Sequence, residues 1–291
     1  MLASSHNSSP GSREMTLSPA EFARIAQILN EVSGITLPET KESLVYSRLA
    51  KRVRQLGLPG FKSYCDLLSG PDGGDERFEL LSALTTNVTR FFREPHHFAD
   101  LDEHVLKPFS LKGGQPRLRI WSAACSSGEE PYSIAMTVLD RIPRAADMDL
   151  KILATDIDPK ILNQAAHGVY TDGTVDPLSP AQRGKYLTGA SGEWQVTDAV
   201  KRIVRFAGIN LTKRLPMSGT FDAIFCRNVA IYFDKPAQDA LWLRLVQQLS
   251  PGGRLYIGHS ERVTGPASDL IDLVGVTTYR LKSQPSQNGR N

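Results

Sequence analysis

Residues 120–136 read "IWSAACSSGEEPYSIAM". An apolar run is followed by a loop of small residues and then by a helical pattern that opens with two acids and a proline. Strand, loop and helix in this order are how an open α/β sheet begins a ligand site. A dinucleotide site would require G-x-G-x-x-G, with glycines for close approach and bare helix N–H groups for phosphate. Here Gly128 stands alone, and Glu129 and Glu130 occupy the helix start. The helix dipole favours acids at that position whether or not a ligand binds. They also repel a pyrophosphate, which disfavours a dinucleotide oxidoreductase. A cationic ligand without phosphate suits the loop, and S-adenosylmethionine has that chemistry: an ammonium, a sulfonium and a ribose.

Downstream, apolar runs alternate with helical patterns: "LRIW", a helix over 129–141, "KILATD", a helix over 159–167, "IVRFAG", "FDAIFC", a helix over 235–249, and "RLYIGHS". That alternation predicts a parallel sheet with helices on both faces. "LVGVTTYRLK" has no helix before its partner and predicts an antiparallel edge strand or hairpin. Residues about 168–205 interrupt the alternation and are expected to form a small β insert. In "ILATDID", Asp156 falls at a strand end, where an acid can accept hydrogen bonds from ribose hydroxyls. "FDAIFCRNVAIYFD" carries Arg227, Asn228 and Tyr232 past the carboxyl edge of its strand. The D/N-P-P-Y/W pattern of amine-methylating enzymes on nucleic acid is not present there.

Upstream, residues 16–85 read as small helices. Phe22, Ile25, Leu29 and Val32 recur at helical spacing, and Val45, Leu49, Val53 and Leu56 share a face of a second helix over about 41–56. Beside that face run Lys41, Arg48, Lys51 and Arg52, and residues 41–54 carry five positive charges against one negative. A helix is expected to start near Pro95, in an interdomain segment spanning 86–115. The chain has 291 residues, 41% hydrophobic and 22% charged, with a net charge of +3. These values fit a globular protein of one or two domains and are too mild to argue for nucleic acid. No apolar run is long enough to span a membrane. Cys65, Cys125 and Cys226 are widely spaced and unpaired by motif, which points to a reducing, cytoplasmic compartment and against a metal site. Residues 1–15 and 284–291 read as disordered tails.

"TNVTRFFRE", "IWSAACSSGEEPYSIAM", "ATDID" and "FDAIFCRNVAIYFD", in this order and spacing, resemble the CheR family of chemotaxis receptor methyltransferases. The resemblance covers about Thr16 to Lys282. It implies an N-terminal helical domain and, over about 116–283, a Rossmann-like S-adenosylmethionine-dependent methyltransferase domain with a small β-subdomain inserted. The implied reaction moves a methyl group from S-adenosylmethionine to glutamate side chains of chemoreceptor cytoplasmic helices, leaving methyl esters and S-adenosylhomocysteine. By similarity, Asn87, Thr89 and Arg93 reach the methyl donor from the interdomain segment. Glu129 holds its methionyl end and Asp156 its ribose, Asn210 and Leu211 in "GINLT" flank the adenine, and Arg227 and Asn228 complete the wall. Arg93 and Tyr232 carry the catalytic expectation.

The resemblance also gives the basic stripe a use. Lys41, Arg48, Lys51 and Arg52 are expected to bind the acidic receptor helix, in a protein expected to be a monomer. Some family members grip a receptor C-terminal peptide with the β-subdomain. Here "YLTGASGEWQVTDAVKRIVRF" is a few residues short for that, which argues against tethering. Two other classes share these residues: a methyltransferase of a small molecule or RNA, favoured by the basic helices alone, and a non-catalytic S-adenosylmethionine-binding adaptor, disfavoured by Arg93, Glu129, Asp156 and Tyr232 together.

Overall fold

The computed structural model describes residues 15–114, 116–190 and 192–282. Apart from Met15, the stretches expected as tails lie outside the described residues. The chain forms two units, one built from residues up to Val32 with Leu37–Leu84, the other from Ser33–Thr36 with Thr85 onward.

The first unit holds α1 (Pro19–Ser33), α2 (Glu42–Gln55), α3 (Phe61–Ser69) and α4 (Gly74–Leu84). Helical spacing places Phe22, Ile25 and Leu29 on one face of α1 and Val45, Leu49 and Val53 on one face of α2, and all six are buried. Leu56 was expected on that face but is 36% exposed. The reason is that α2 has already ended: Gly57 takes φ +66, its N–H bonds the Arg54 carbonyl, and the Leu58 N–H bonds the Val53 carbonyl. This double closure turns the chain outward at Leu56.

The second unit begins with α5 (His96–Leu101) and α6 (Lys107–Ser110) and then forms a sheet. Along β1 (Leu118–Ala123) every second side chain faces the same way. Leu118 and Ile120 enter one core with Ile134 and Met136 of α7 (Glu129–Arg141), while Trp121 and Ala123 enter a second core on the opposite face. A strand buried on both faces belongs to a parallel sheet covered by helices. β2 (Leu150–Asp156) lies parallel to β1, with Ile120 opposite Ile152, and leads into α8 (Pro159–His167).

The predicted insert follows. β3 (Val169–Tyr170), β4 (Leu187–Ala190) and β5 (Glu193–Val196) form a separate antiparallel sheet in the order β3-β5-β4, accompanied by α9 (Asp172–Val175), α10 (Pro180–Tyr186) and α11 (Asp198–Lys201). Its strands end sooner than the expected boundary near 205. Val204–Gly208 is β6, which pairs in parallel with β2 in the main sheet. β7 (Phe221–Cys226), α12 (Lys235–Gln247) and β8 (Leu249–Ile257) continue the parallel layer. The C-terminal segment forms the expected hairpin, β9 (Ile271–Gly275) and β10 (Thr278–Leu281), in which β10 pairs antiparallel with β8 and β9 takes the edge.

The order β6-β2-β1-β7-β8-β10-β9 fixes where a ligand can sit. After β1 the chain first builds outward to β2 and β6, then returns to the other side of β1 with β7. The loops after β1 and β7 therefore diverge at one point of the carboxyl edge and leave a crevice between them.

Candidate active site at the carboxyl edge

Backbone strain concentrates at this edge. Among the described residues, six non-glycine positions have positive φ, and five of them are Phe92, Glu94, Ala124, Ser126 and Asn228. Such conformations persist only where the surroundings hold them, and they cluster at binding sites. In the loop after β1, Gly128 has φ +98, and a Cβ there would lie 2.8 Å from the Tyr170 hydroxyl and 3.0 Å from the Ala165 Cβ. Only glycine satisfies both conditions.

The two adjacent acids turn out to differ in role. Glu130 accepts from the Ser122 hydroxyl at 2.6 Å and from the Arg227 guanidinium at 3.2 Å. Glu129 is 4% exposed and accepts from the Ser127 hydroxyl at 2.7 Å. Among the described residues no cation pairs with Glu129. Burial pushes its carboxyl above the usual range, and the Ser127 hydroxyl and the residue's own backbone N–H only partly oppose that shift. A buried carboxylate with one hydroxyl partner matches a ligand ammonium.

Asp156 ends β2, and its carboxylate faces the same loop. It accepts from the Ser126 N–H at 2.8 Å and the Asp158 N–H at 3.0 Å. Burial raises its pKa against those two N–H groups. The Ile157 N–H acts on it as well, and of the roughly four acceptor sites of a carboxylate one is left for a ligand hydroxyl.

Residues 85–93 cross the site and are tied to both loops. The Asn87 carbonyl accepts from the Ser126 hydroxyl at 3.2 Å, and the Thr86 carbonyl lies 3.5 Å from the Tyr232 hydroxyl. Asn87 donates weakly to Thr85 at 3.5 Å, Thr89 is half-buried, and the Arg93 guanidinium donates to the Val88 carbonyl at 3.0 Å. The structure thus brings Asn87, Arg93, Glu129, Asp156 and Tyr232 to one edge, with Thr89 in the segment between Asn87 and Arg93.

Other expected residues have structural work. Asn210 forms a local turn, its side-chain oxygen accepting from the Thr212 N–H at 2.9 Å and hydroxyl at 2.7 Å. Leu211 is 6% exposed, and its carbonyl accepts from the Arg244 guanidinium. The Arg227 side chain lies beneath the site, and its guanidinium makes ion pairs of 3.3 Å to Glu94 and 3.2 Å to Glu130 and donates to the Arg93 carbonyl. Two carboxylates and a carbonyl fix its orientation and leave two of its five N–H groups without a described acceptor. Burial alone would raise the Glu94 carboxyl, but Arg227 and His259 outweigh it and bring it below the usual range. Asn228 contributes its strained backbone, whose N–H donates to Glu261 at 2.8 Å.

The helical unit changes the reading of the basic stripe. Arg52 forms a two-pronged bond to buried Glu76, 3.0 Å from Nε and 2.5 Å from Nη2, and the Tyr64 hydroxyl donates to the same carboxylate. Arg48 donates to the Ala83 and Leu84 carbonyls at the C-terminus of α4. Both guanidiniums therefore knit helices together, whereas Lys41 and Lys51 are exposed. Sequence spacing placed all four on one stripe but could not tell an arginine that bonds another helix from a lysine in water.

Glu94, Glu130, His259 and Glu261 were not anticipated. The adjacency of Glu129 and Glu130 gave no means of separating their roles, and Glu261 lies in a loop with no recognisable pattern.

A family model described as "CheR methyltransferase, SAM binding domain" matches residues 87–280, and one described as "CheR methyltransferase, all-alpha domain" matches residues 20–85. The chain is similar to a probable chemotaxis protein methyltransferase of Rhizobium etli, 53% identical over 87% of this chain and 96% of the relative. It is also similar to the chemotaxis protein methyltransferase of Salmonella typhimurium, at 40% identity over 92% of both chains. The Escherichia coli protein of the same description is 41% identical over 92% of both chains.

Proposed function

The chain belongs to the CheR methyltransferase family, and from that premise we propose that it methylates glutamate side chains of chemoreceptor cytoplasmic helices, with S-adenosylmethionine as donor. The observation that carries the reading is Glu129, a buried carboxylate at a helix N-terminus whose described partner is one hydroxyl. S-adenosylmethionine supplies a methyl group activated by the positive sulfur that carries it.

The residues divide the work. Glu129 holds the donor ammonium, and Asp156 accepts from a ribose hydroxyl. Asn210 and Leu211 border the adenine, while Asn87, Thr89 and the Asn228 loop close the sides. Arg227 acts from below, supporting Arg93 through its carbonyl.

The incoming glutamate needs no general base. Its ordinary pKa of about 4.3 leaves it ionised at neutral pH. What remains is alignment of carboxylate oxygen, methyl carbon and sulfur, and such positioning can supply roughly 7–11 kcal/mol. Arg93 orients the incoming carboxylate through a charge-assisted hydrogen bond. The Tyr232 hydroxyl, held only weakly at 3.5 Å, is available to position the reacting groups.

Exposed Lys41 and Lys51 serve receptor capture, and the small sheet is not needed for it. The deciding experiment incubates the protein with methyl-labelled donor and purified receptor cytoplasmic fragments. Base-labile label on receptor glutamates is expected. Label on another class of substrate, or base-stable label, overturns the assignment.

A further inference from the structure

The loop after β8 contains a carboxylate that none of the roles above uses. Glu261 accepts four backbone N–H groups: Gly258 at 2.6 Å and Asn228 at 2.8 Å on one oxygen, Val229 at 2.9 Å and Ala230 at 2.8 Å on the other. Three of these donors are consecutive and belong to the segment joining the end of β7 to the turn Ala230–Tyr232. Successive N–H groups that point the same way make an anion-binding hollow, and here the protein fills it with its own side chain.

The segment held in this way is strained. Asn228 has φ +59, and neither strand nor helix bonding keeps it there. Gly258 leaves the room this conformation needs, since a Cβ on it would lie 2.4 Å from the Asn228 side-chain amide nitrogen and 2.8 Å from its backbone nitrogen. His259, next in the chain, donates its backbone N–H to Glu94 at 3.1 Å, and its ring Nδ1 lies 3.1 Å from the same oxygen. Glu94 adjoins Arg93. One short loop thus ties down both segments that carry the expected reacting side chains.

We propose that Glu261 is a positioning residue for methyl transfer, whose carboxylate locks the loop after β7 so that Asn228 and Tyr232 are held at the donor. The inference rests on the methyltransferase reading above. Glu261 itself touches neither donor nor acceptor. Burial raises its carboxyl above the usual range, and the four N–H groups oppose that shift.

Glu261→Gln tests the proposal. Glutamine keeps the size but replaces one acceptor oxygen with an NH2 group facing N–H donors. At saturating donor, kcat is expected to fall about 100-fold, the scale of a misplaced reacting geometry. S-adenosylhomocysteine should bind more weakly by calorimetry, while the receptor KM stays unchanged. Gly258→Ala, which pushes on Asn228 from the same loop, should give the same signature. A residue that only supports the fold predicts a lower melting temperature with wild-type kcat and affinity in the folded protein, and that result overturns the proposal.

Should neither variant fold, amide exchange on the wild type decides. Asn228, Val229 and Ala230 should exchange slowly although they lie outside the strands, and exchange at open-loop rates overturns the proposal. Calorimetry and exchange do not depend on the acceptor. A wild-type protein that binds S-adenosylhomocysteine but does not label receptor refutes the receptor assignment and leaves the Glu261 test intact.

Discussion

Glu129, proposed to hold the donor ammonium, is the residue at which stability and binding conflict. Its folded pKa is raised, so the folded state holds the proton more tightly than the unfolded chain does. The group is therefore least destabilising below its unfolded pKa, and folded stability falls as pH rises through the interval up to the raised value. Glu129→Gln removes that buried charge. The donor-free variant should melt higher at neutral pH by about 2–4 °C, the shift for roughly 1 kcal/mol in a domain of this size, and should bind S-adenosylmethionine more weakly. Calorimetry and a melting curve on one preparation measure both, and higher stability with unchanged affinity would remove the ammonium contact. In the wild type, donor affinity should decline as pH falls through the raised value, because the cation loses its partner. Asp156→Ala should weaken donor binding by about 1.5–3 kcal/mol, the range for a hydrogen bond to a charged group. It should also lower stability, since the Ser126 and Asp158 N–H groups lose their acceptor.

At the scale of elements, the sequence conveyed what has a period or a long motif. β1 and α7 were legible because alternation and a loop of small residues adjoin a helical pattern, and the predicted helix bounds 129–141 and 159–167 are those observed. The end of the insert was not legible, because "EWQV" and "VRFAG" look alike as short strands and only pairing assigns one to each sheet. Asp156 and the pair Glu129 and Glu130 stood out because strand ends and helix starts are special places in the chain, while the choice of Glu129 within the pair came from the family resemblance. The helix-to-helix bonds of Arg48 and Arg52 were not legible for one reason: an arginine reads as exposed charge until its partner is known, and the partners, the Ala83 and Leu84 carbonyls and the Glu76 carboxylate, come from another helix. Arg52→Ala should accordingly destabilise the helical unit by about 2–3 kcal/mol, since it strips hydrogen bonds from buried Glu76. Denaturant titration measures this, and a loss below about 0.5 kcal/mol, the scale of surface changes, would return Arg52 to the solvent.

Across the whole molecule, the exposed lysines and the residues proposed to bind the donor fall on different units. Reversing Lys41 and Lys51 to Glu should raise the receptor KM and leave donor affinity untouched. Wild-type turnover at low receptor concentration should drop with added salt, since exposed charges are screened over about 8 Å at physiological ionic strength, and the reversed variant should respond less. Equal salt slopes in initial rates would exclude docking through these side chains. A different consequence attaches to the insert. The chain leaves the main sheet at Asp156 and re-enters at Val204, and β2 and β6 lie side by side, so the points of departure and return are separated by little more than the roughly 4.8 Å strand spacing and one strand's length. Extending a closed loop has a logarithmic cost, about 0.6 kcal/mol for each doubling. A change in the insert's length is therefore cheap in chain closure, but its packing is not free to vary: Tyr170, Tyr186 and Val196 share a core with Ile120 and Ile152, and the Tyr170 hydroxyl donates to the Ser127 carbonyl in the loop after β1.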